Sequence, residues 1–244
     1  MAASLKHLSK DGETQISGKN WADAFAGVAQ TAEKFAIQNN GDRALVSLQI
    51  QITQVGSNDG STMMRIGADT ATISRPYGVT LALSGAGAGG VFAATGIYYY
   101  LVAAYNATGE TPGAAEVSIN VDVTTKKVTI SWTPVTGATG YKIFRSTSPG
   151  SYGASSLRAN VAGGGSSQYI DDGGSLSSGT PVTANTTGGA APNYGTAPSL
   201  VAGPLTIGNL AIGQEWFYWA NRVVPGGTAE TGNPRLSLRE FTES

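Results

Sequence analysis

The sequence predicts a mainly β protein: a β-sandwich module inserted into a small β-rich terminal domain that also carries one N-terminal helix. Two segments and one feature of composition predict it. Residues 97–111 read IYYYLVAAYNATGET and residues 127–148 read KVTISWTPVTGATGYKIFRSTS. Both alternate apolar and polar residues with period 2 and run into turn residues, the pattern of half-buried antiparallel strands. The composition is rich in glycine and poor in charge, with 34 glycines in 244 residues and 13% charged residues. These are about twice and about half the ordinary shares. Apolar residues make up 41% of the chain, enough to build cores, and the length allows two small domains or one large β domain.

In chain order, residues 1–19 are polar and read as extended. A helix is predicted over residues 20–38, because Trp21, Phe25, Val28, Ala32 and Phe35 fall on one helical face. Asn20 caps its start, Asp23 suits the first turn, and Asn39-Asn40-Gly41 stops it. The stripe reads as a core face packed on the sheet that follows; a partner-binding face is the alternative. Val46, Leu48, Ile50 and Ile52 then point one way along a strand, and Ser47, Gln49, Gln51 and Thr53 the other. Residues 55–62, VGSNDGST, make a turn, and residues 63–66 and 70–73 return as further strands. SGAGAGG at residues 84–90 reads as a loop or hinge.

The sandwich is expected over residues 77–186. Val128, Ile130 and Trp132 form an inward row, continued by Tyr141 and Ile143 on the adjacent strand. Tyr98, Tyr100, Val102 and Ala104 form another. Residues 168–170 read as a late strand ending in the turn Asp171-Asp172-Gly173, and SPGSYGASS and VAGGGSS read as loops. Residues 187–204 are a linker by composition. Residues 215–224, EWFYWANRVV, are a dense aromatic strand, joined through PGGTAETGNP to a short strand at 235–241 as a terminal hairpin. Residues 1–76 and 205–244 are thus expected to share one assembly domain. Alternation puts Trp216, Tyr218 and Ala220 on one face of the aromatic strand and Phe217, Trp219 and Asn221 on the other. Trp216, Phe217, Tyr218 and Trp219 are therefore the candidate interface. One face packs on the helix and sheet; the other calls for an intersubunit partner, a neighbouring sheet or exposure.

The composition also limits the chemistry. Net charge is −1, which gives no electrostatic footprint for nucleic acid. There is no cysteine, so disulfides and thiolate chemistry are excluded. The lone histidine, His7, reads as a surface residue of the polar N-terminal tail and not as a general base, so neither a Ser-His-Asp triad nor a two-histidine metal site is expected within one chain. Gly85 to Gly90 lacks the lysine of a phosphate loop. Asp171-Asp172 lacks the repeated acidic spacing of a calcium loop and reads as a capped turn. Neither a secretory signal nor a membrane-spanning apolar run is read in the sequence. The expectation is a non-enzyme with no cofactor and no metal. A surface this poor in charge suits a subunit covered by neighbours; a monomer solubilised by Ser, Thr, Asn and Gln is the alternative.

The two strong segments resemble fibronectin type III modules, in the versions found in tailed-bacteriophage virion proteins and bacterial surface proteins. YYYLVAAYNATGET is similar to the family's Y-Y-x-V-x-A-x-N-x-x-G-E strand and turn. ISWTPVTGATGYKIFRST is similar to its W-x-x-V-x-G-A-x-G-Y-x-(V/I)-(Y/F)-R strand pair. The match implies that Trp132, Tyr141, Tyr100 and Val102 are core residues and that Asn106 to Glu110 form a tight turn. It covers under half the chain, and it speaks for fold more than for function. The order departs from the family, because the tryptophan strand follows the YYY strand instead of preceding it. One permuted module or two partial modules would give this order, which the phage-type proteins share. The resemblance implies a structural component of a phage virion (capsid decoration, neck or collar, tail, or baseplate). Its partners would be copies of itself and other virion proteins. A carbohydrate-binding or host-adhesion protein is the alternative, with Tyr152 and Tyr194 as candidate contacts to a host surface glycan. A polysaccharide-degrading enzyme is the third reading, and no acid/base pair singles it out.

Overall fold

The computed structural model describes residues 5–8, 32–53, 64–84, 92, 94–122, 127–188, 204–222 and 235–240. The protein is mainly β, with several antiparallel sheets. The strands are β1 (Leu5–Leu8), β2 (Glu33–Asn39), β3 (Leu45–Thr53), β4 (Met64–Ala68), β5 (Tyr77–Ser84), β6 (Gly96–Tyr105) and β7 (Val117–Val121). They continue with β8 (Lys127–Thr133), β9 (Gly140–Ser146), β10 (Leu157–Ala162), β11 (Gln168–Asp171), β12 (Leu205–Leu210), β13 (Glu215–Arg222) and β14 (Arg235–Glu240). The chain divides into two compact units, Met1–Thr72 with Gly189–Ser244, and Ile73–Gly188. Among the described residues no helix is long and apolar enough to cross a membrane.

The first unit contains the sheets β1-β2-β13-β4 and β12-β3-β14. Its core draws on both: Phe35 and Ile37 of β2, Leu45, Leu48 and Ile50 of β3, Ile66 of β4, Leu210 of β12 and Tyr218 of β13. Three expectations are corrected here. Residues 33–38 are not helical; they form β2, hydrogen-bonded to β13 with Phe35 opposite Tyr218 and Ile37 opposite Trp216. Phe35 and Ile37 also satisfy a period of 2, and long-range pairing decides between the two periods. The rest of the predicted helix lies outside the described residues. Residues 70–73 are not a strand, because the Asp69 carboxylate accepts the backbone N–H of Ala71 (3.0 Å) and Thr72 (3.1 Å) and closes a turn instead. β13 and β14 are not a hairpin; they belong to different sheets.

β3 also departs from simple alternation. Val46 is exposed while Leu45, Leu48 and Ile50 are buried. Ser47 sits at φ +50°, beside register shifts in the pairing of β12 with β3. A bulge of this kind adds one residue and moves the inward row from one parity to the other. The turn at Asn39 is held by its own side chain. Asn39, fully buried, donates to the carbonyls of Arg43 and Leu210 (2.9 Å each) and accepts from the Gly41 N–H.

The second unit contains the sheets β10-β9-β6-β7 and β11-β8-β5. One core draws on both. It contains Tyr98, Tyr100, Val102 and Ala104 of β6, Tyr141 and Ile143 of β9, Val121 of β7, and Val128, Ile130 and Trp132 of β8. β9 does not pair with β8 as its neighbour in sequence; it crosses to the other sheet and pairs with β6. Val135 to Gly140 make that crossing, with Gly137 at φ +85°, a conformation that suits glycine. The Tyr141 hydroxyl accepts the Val135 N–H at 2.7 Å and donates to the Gly164 carbonyl at 2.8 Å. Two ends of the unit are tied together near residue 73. Asn185 donates to the Ile73 carbonyl, and Thr187 Oγ1 accepts the Ile73 N–H. Residues 187 and 188 therefore belong to this unit, where the sequence placed the linker; 189–203 lie outside the described residues.

Candidate functional site

The densest polar cluster of the second unit centres on Asp171, the last residue of β11. Its carboxylate is fully buried. It accepts the Tyr100 hydroxyl at 2.9 Å, Arg145 Nη1 at 2.8 and 3.0 Å, and Arg158 Nε at 2.5 Å. It also accepts the Gly173 N–H at 2.9 Å. Arg158 reaches on to Asp172, and Arg145 Nη2 donates to the Gly174 carbonyl. The strands explain the meeting. Tyr100, Arg145 and Arg158 come from β6, β9 and β10 of one sheet, and Asp171 comes from β11 of the other. Tyr100 and Arg145 are directly opposite in register, so both point inward. The Arg145 guanidinium lies 5.3 Å from the Phe92 ring centroid and 5.8 Å from that of Tyr98.

Burial, then the Asp171 charge beside it, pushes the Tyr100 hydroxyl well above the usual tyrosine range. The Gly174 N–H, and after it Arg158, hold the Asp172 carboxyl below the usual range. Two guanidiniums face two carboxylates, and the cluster is balanced in charge. Its chemistry is that of a fastener between sheets. Asp171 and Asp172 do cap a turn, as expected, but their main partners are arginines that the sequence reading did not single out. The available signal was Arg145 itself, a charged residue at an inward position of an otherwise apolar row.

A second ion pair joins Lys142 of β9 to Glu110, just beyond β6. Glu110 Oε1 and Trp132 Nε1 are buried and have no hydrogen-bond partner among the described residues. Among the described residues no group of three or more acidic or histidine side chains is placed to hold a metal ion.

The expected core residues sit together. Trp132 packs on Tyr141, with ring centroids 5.0 Å apart, and Tyr100 and Val102 are fully buried in the same core. Asn106 to Glu110 form the tight turn: the Asn106 N–H donates to Gly109 O, and Asn106 Oδ1 accepts the N–H of Thr108 and Gly109.

The four rings offered to a partner lie inside the first unit instead. Phe217 and Trp219 are 2% and 7% exposed, Tyr218 is fully buried, and Trp216 is half-buried. Tyr218 stacks on Phe35 at 5.5 Å and on Trp216 at 6.0 Å. On the other face Phe217 packs with Ala36, and Lys34 Nζ lies 5.6 Å from the Trp219 ring centroid. Both faces of β13 are covered by the chain, which removes the argument that an aromatic face needs a partner.

Tyr152 is half-buried. Its ring packs on the cluster of Ala103, Phe144 and Leu157, with Leu101 alongside, and its hydroxyl donates to Glu116 Oε2 at 2.8 Å. Burial and that hydrogen bond raise its hydroxyl above the usual range. Tyr194, and the side chain of His7, lie outside the described residues.

No protein-family model, no curated protein and no solved structure matches the chain.

Proposed function

We propose that the chain is a non-enzymatic structural component of a tailed-bacteriophage virion, and that its second unit is a β-sandwich of the fibronectin type III kind. The observation that carries the reading is the packing around the residues of the resemblance. Trp132 rests on Tyr141, and the Tyr141 hydroxyl clamps the Val135 N–H to the Gly164 carbonyl. That arrangement gives the V-x-G-A-x-G-Y run a mechanical role in the crossing between two sheets.

The buried ionisable groups of the module support a structural role as well. Asp171, Arg145 and Glu110 each tie one strand or turn to another. With 13% charged residues, the chain also meets little electrostatic opposition to close packing with copies of itself. In this reading the first unit packs in the particle through outer strands and charge-poor faces, the β13 aromatics being core. The second unit projects as a rigid spacer.

Sedimentation velocity on the pure full chain at micromolar concentration tests the self-association. A discrete homo-oligomer is the expected result. A monomer across the whole concentration range, or turnover of a glycan or ester by the pure chain, contradicts the reading.

A further inference from the structure

We propose that the outer face of β6 and β7 is a binding platform for a neutral oligosaccharide, with Tyr99 as its stacking ring. Along β6, Tyr98, Tyr100 and Val102 point into the core, so Ile97, Tyr99 and Leu101 share the opposite face. The register sets Tyr99 between Ser118 of β7 and Ser146 of β9, and Ile97 beside Asn120. Ile97 is 51% exposed, Ser118 and Asn120 are exposed, and Tyr99 is half-buried. No described residue takes a hydrogen bond from, or gives one to, the side chain of Tyr99, Ser118 or Asn120.

Tyr152 closes one end of this face. Its ring and Leu101 both pack on the cluster of Ala103, Phe144 and Leu157, and its hydroxyl is fixed on Glu116, which also accepts the Gly150 N–H. The ring is therefore anchored before any ligand arrives, which lowers the ordering cost of binding.

The chemistry of this face matches a sugar. The C–H face of a pyranose is apolar and stacks on an aromatic ring, and its hydroxyls both donate and accept. A phenol, a serine hydroxyl and an asparagine amide also do both. The register partners of Ile97, Tyr99 and Leu101 on β7 and β9 carry no cation; Lys142, further along the same face opposite Ala103, is paired with Glu110. That balance disfavours sulfated or phosphorylated glycans and nucleic acid. A protein partner calls for a broader apolar centre than Ile97 and one half-buried ring provide.

The proposal is independent of self-association. It is tested on the free full chain, so a failure here and a failure in sedimentation are read separately. Maltohexaose, cellohexaose and chitohexaose are titrated by calorimetry, with a heparin hexasaccharide as the anionic comparison. At least one neutral hexasaccharide should bind, and heparin should bind more weakly. Tyr99→Ala should lower the affinity about tenfold, the order of one lost stacking contact. Tyr99→Phe should keep it within about threefold. Shifts of the Tyr99 ring protons in the unmodified chain give a second reading should the alanine variant fold poorly. Absence of binding by all three neutral sugars, a Tyr99→Ala variant of unchanged affinity, or tighter binding of heparin overturns the proposal.

Discussion

Replacing Asp171 by Asn keeps the size of the side chain and removes its charge, which isolates the electrostatic part of the inter-sheet fastener. The carboxylate is fully buried and accepts from Tyr100, Arg145, Arg158 and the Gly173 N–H. After the change, Arg158 keeps Asp172, a half-exposed partner. Arg145 keeps the Gly174 carbonyl, the two rings it lies over and at most one neutral amide oxygen in place of the carboxylate. No cavity forms, so the cost is that of a buried cation without its counter-charge, about 3–5 kcal/mol. For a unit of this size that lowers the thermal midpoint by about 10–20 °C. Trp132 is the one tryptophan of Ile73–Gly188, so fluorine-labelled tryptophan reports this unit by its own resonance during denaturation. A Trp132 transition unmoved in Asp171→Asn would refute the view that this carboxylate fastens the sheets.

Trp132→Ala should destabilise the second unit by about 3–5 kcal/mol through lost burial and a cavity, read as a fall in denaturant midpoint by circular dichroism. Gly137→Ala should cost about 1–2 kcal/mol, because φ is +85° there and a Cβ would meet Ile73 Cγ2 at 2.9 Å; an unchanged midpoint would argue against that turn. The raised pKa of Tyr100 sets a pH dependence. A proton held more tightly in the folded state leaves this stabilisation intact below the unfolded value, about 10, and removes it as pH climbs toward the folded one. The midpoint of the second unit should therefore fall above about pH 10. Tyr100→Phe should flatten that fall and leave its position against Asp171 without a donor.

The second unit was the more legible of the two. Its inward rows are written in strict alternation, as in Val128, Ile130 and Trp132, and local chemistry fixes its turns, as at Asn106. Which strands pair was less legible. β8 and β9 are neighbours in sequence yet belong to different sheets, and nothing local to VTGATG says that the chain crosses over there. β5, β7, β10 and β12 passed unread: β7 alternates strictly but over five residues only, β10 mixes Arg158 and Asn160 with alanines, and Gly208 and Asn209 interrupt β12. Residues 33–39 misled for a physical reason: Phe35 fits the helical stripe from Trp21, and long-range pairing with β13 on one side and β1 on the other selects the extended form. The same distance hid the covering of β13. Its aromatic faces look unpartnered until β2 is seen as a strand beside it. The Asp171 cluster gathers residues from four strands, and no spacing in the sequence encodes that.

Mass spectrometry of density-banded particles, purified from a lysate of cells that carry the gene for this chain, tests the virion assignment most directly. The account predicts the chain in intact particles at a fixed copy number, retained through repeated banding and released only on disassembly. Its complete absence from infectious particles, with the chain left in the soluble lysate, would contradict the assignment.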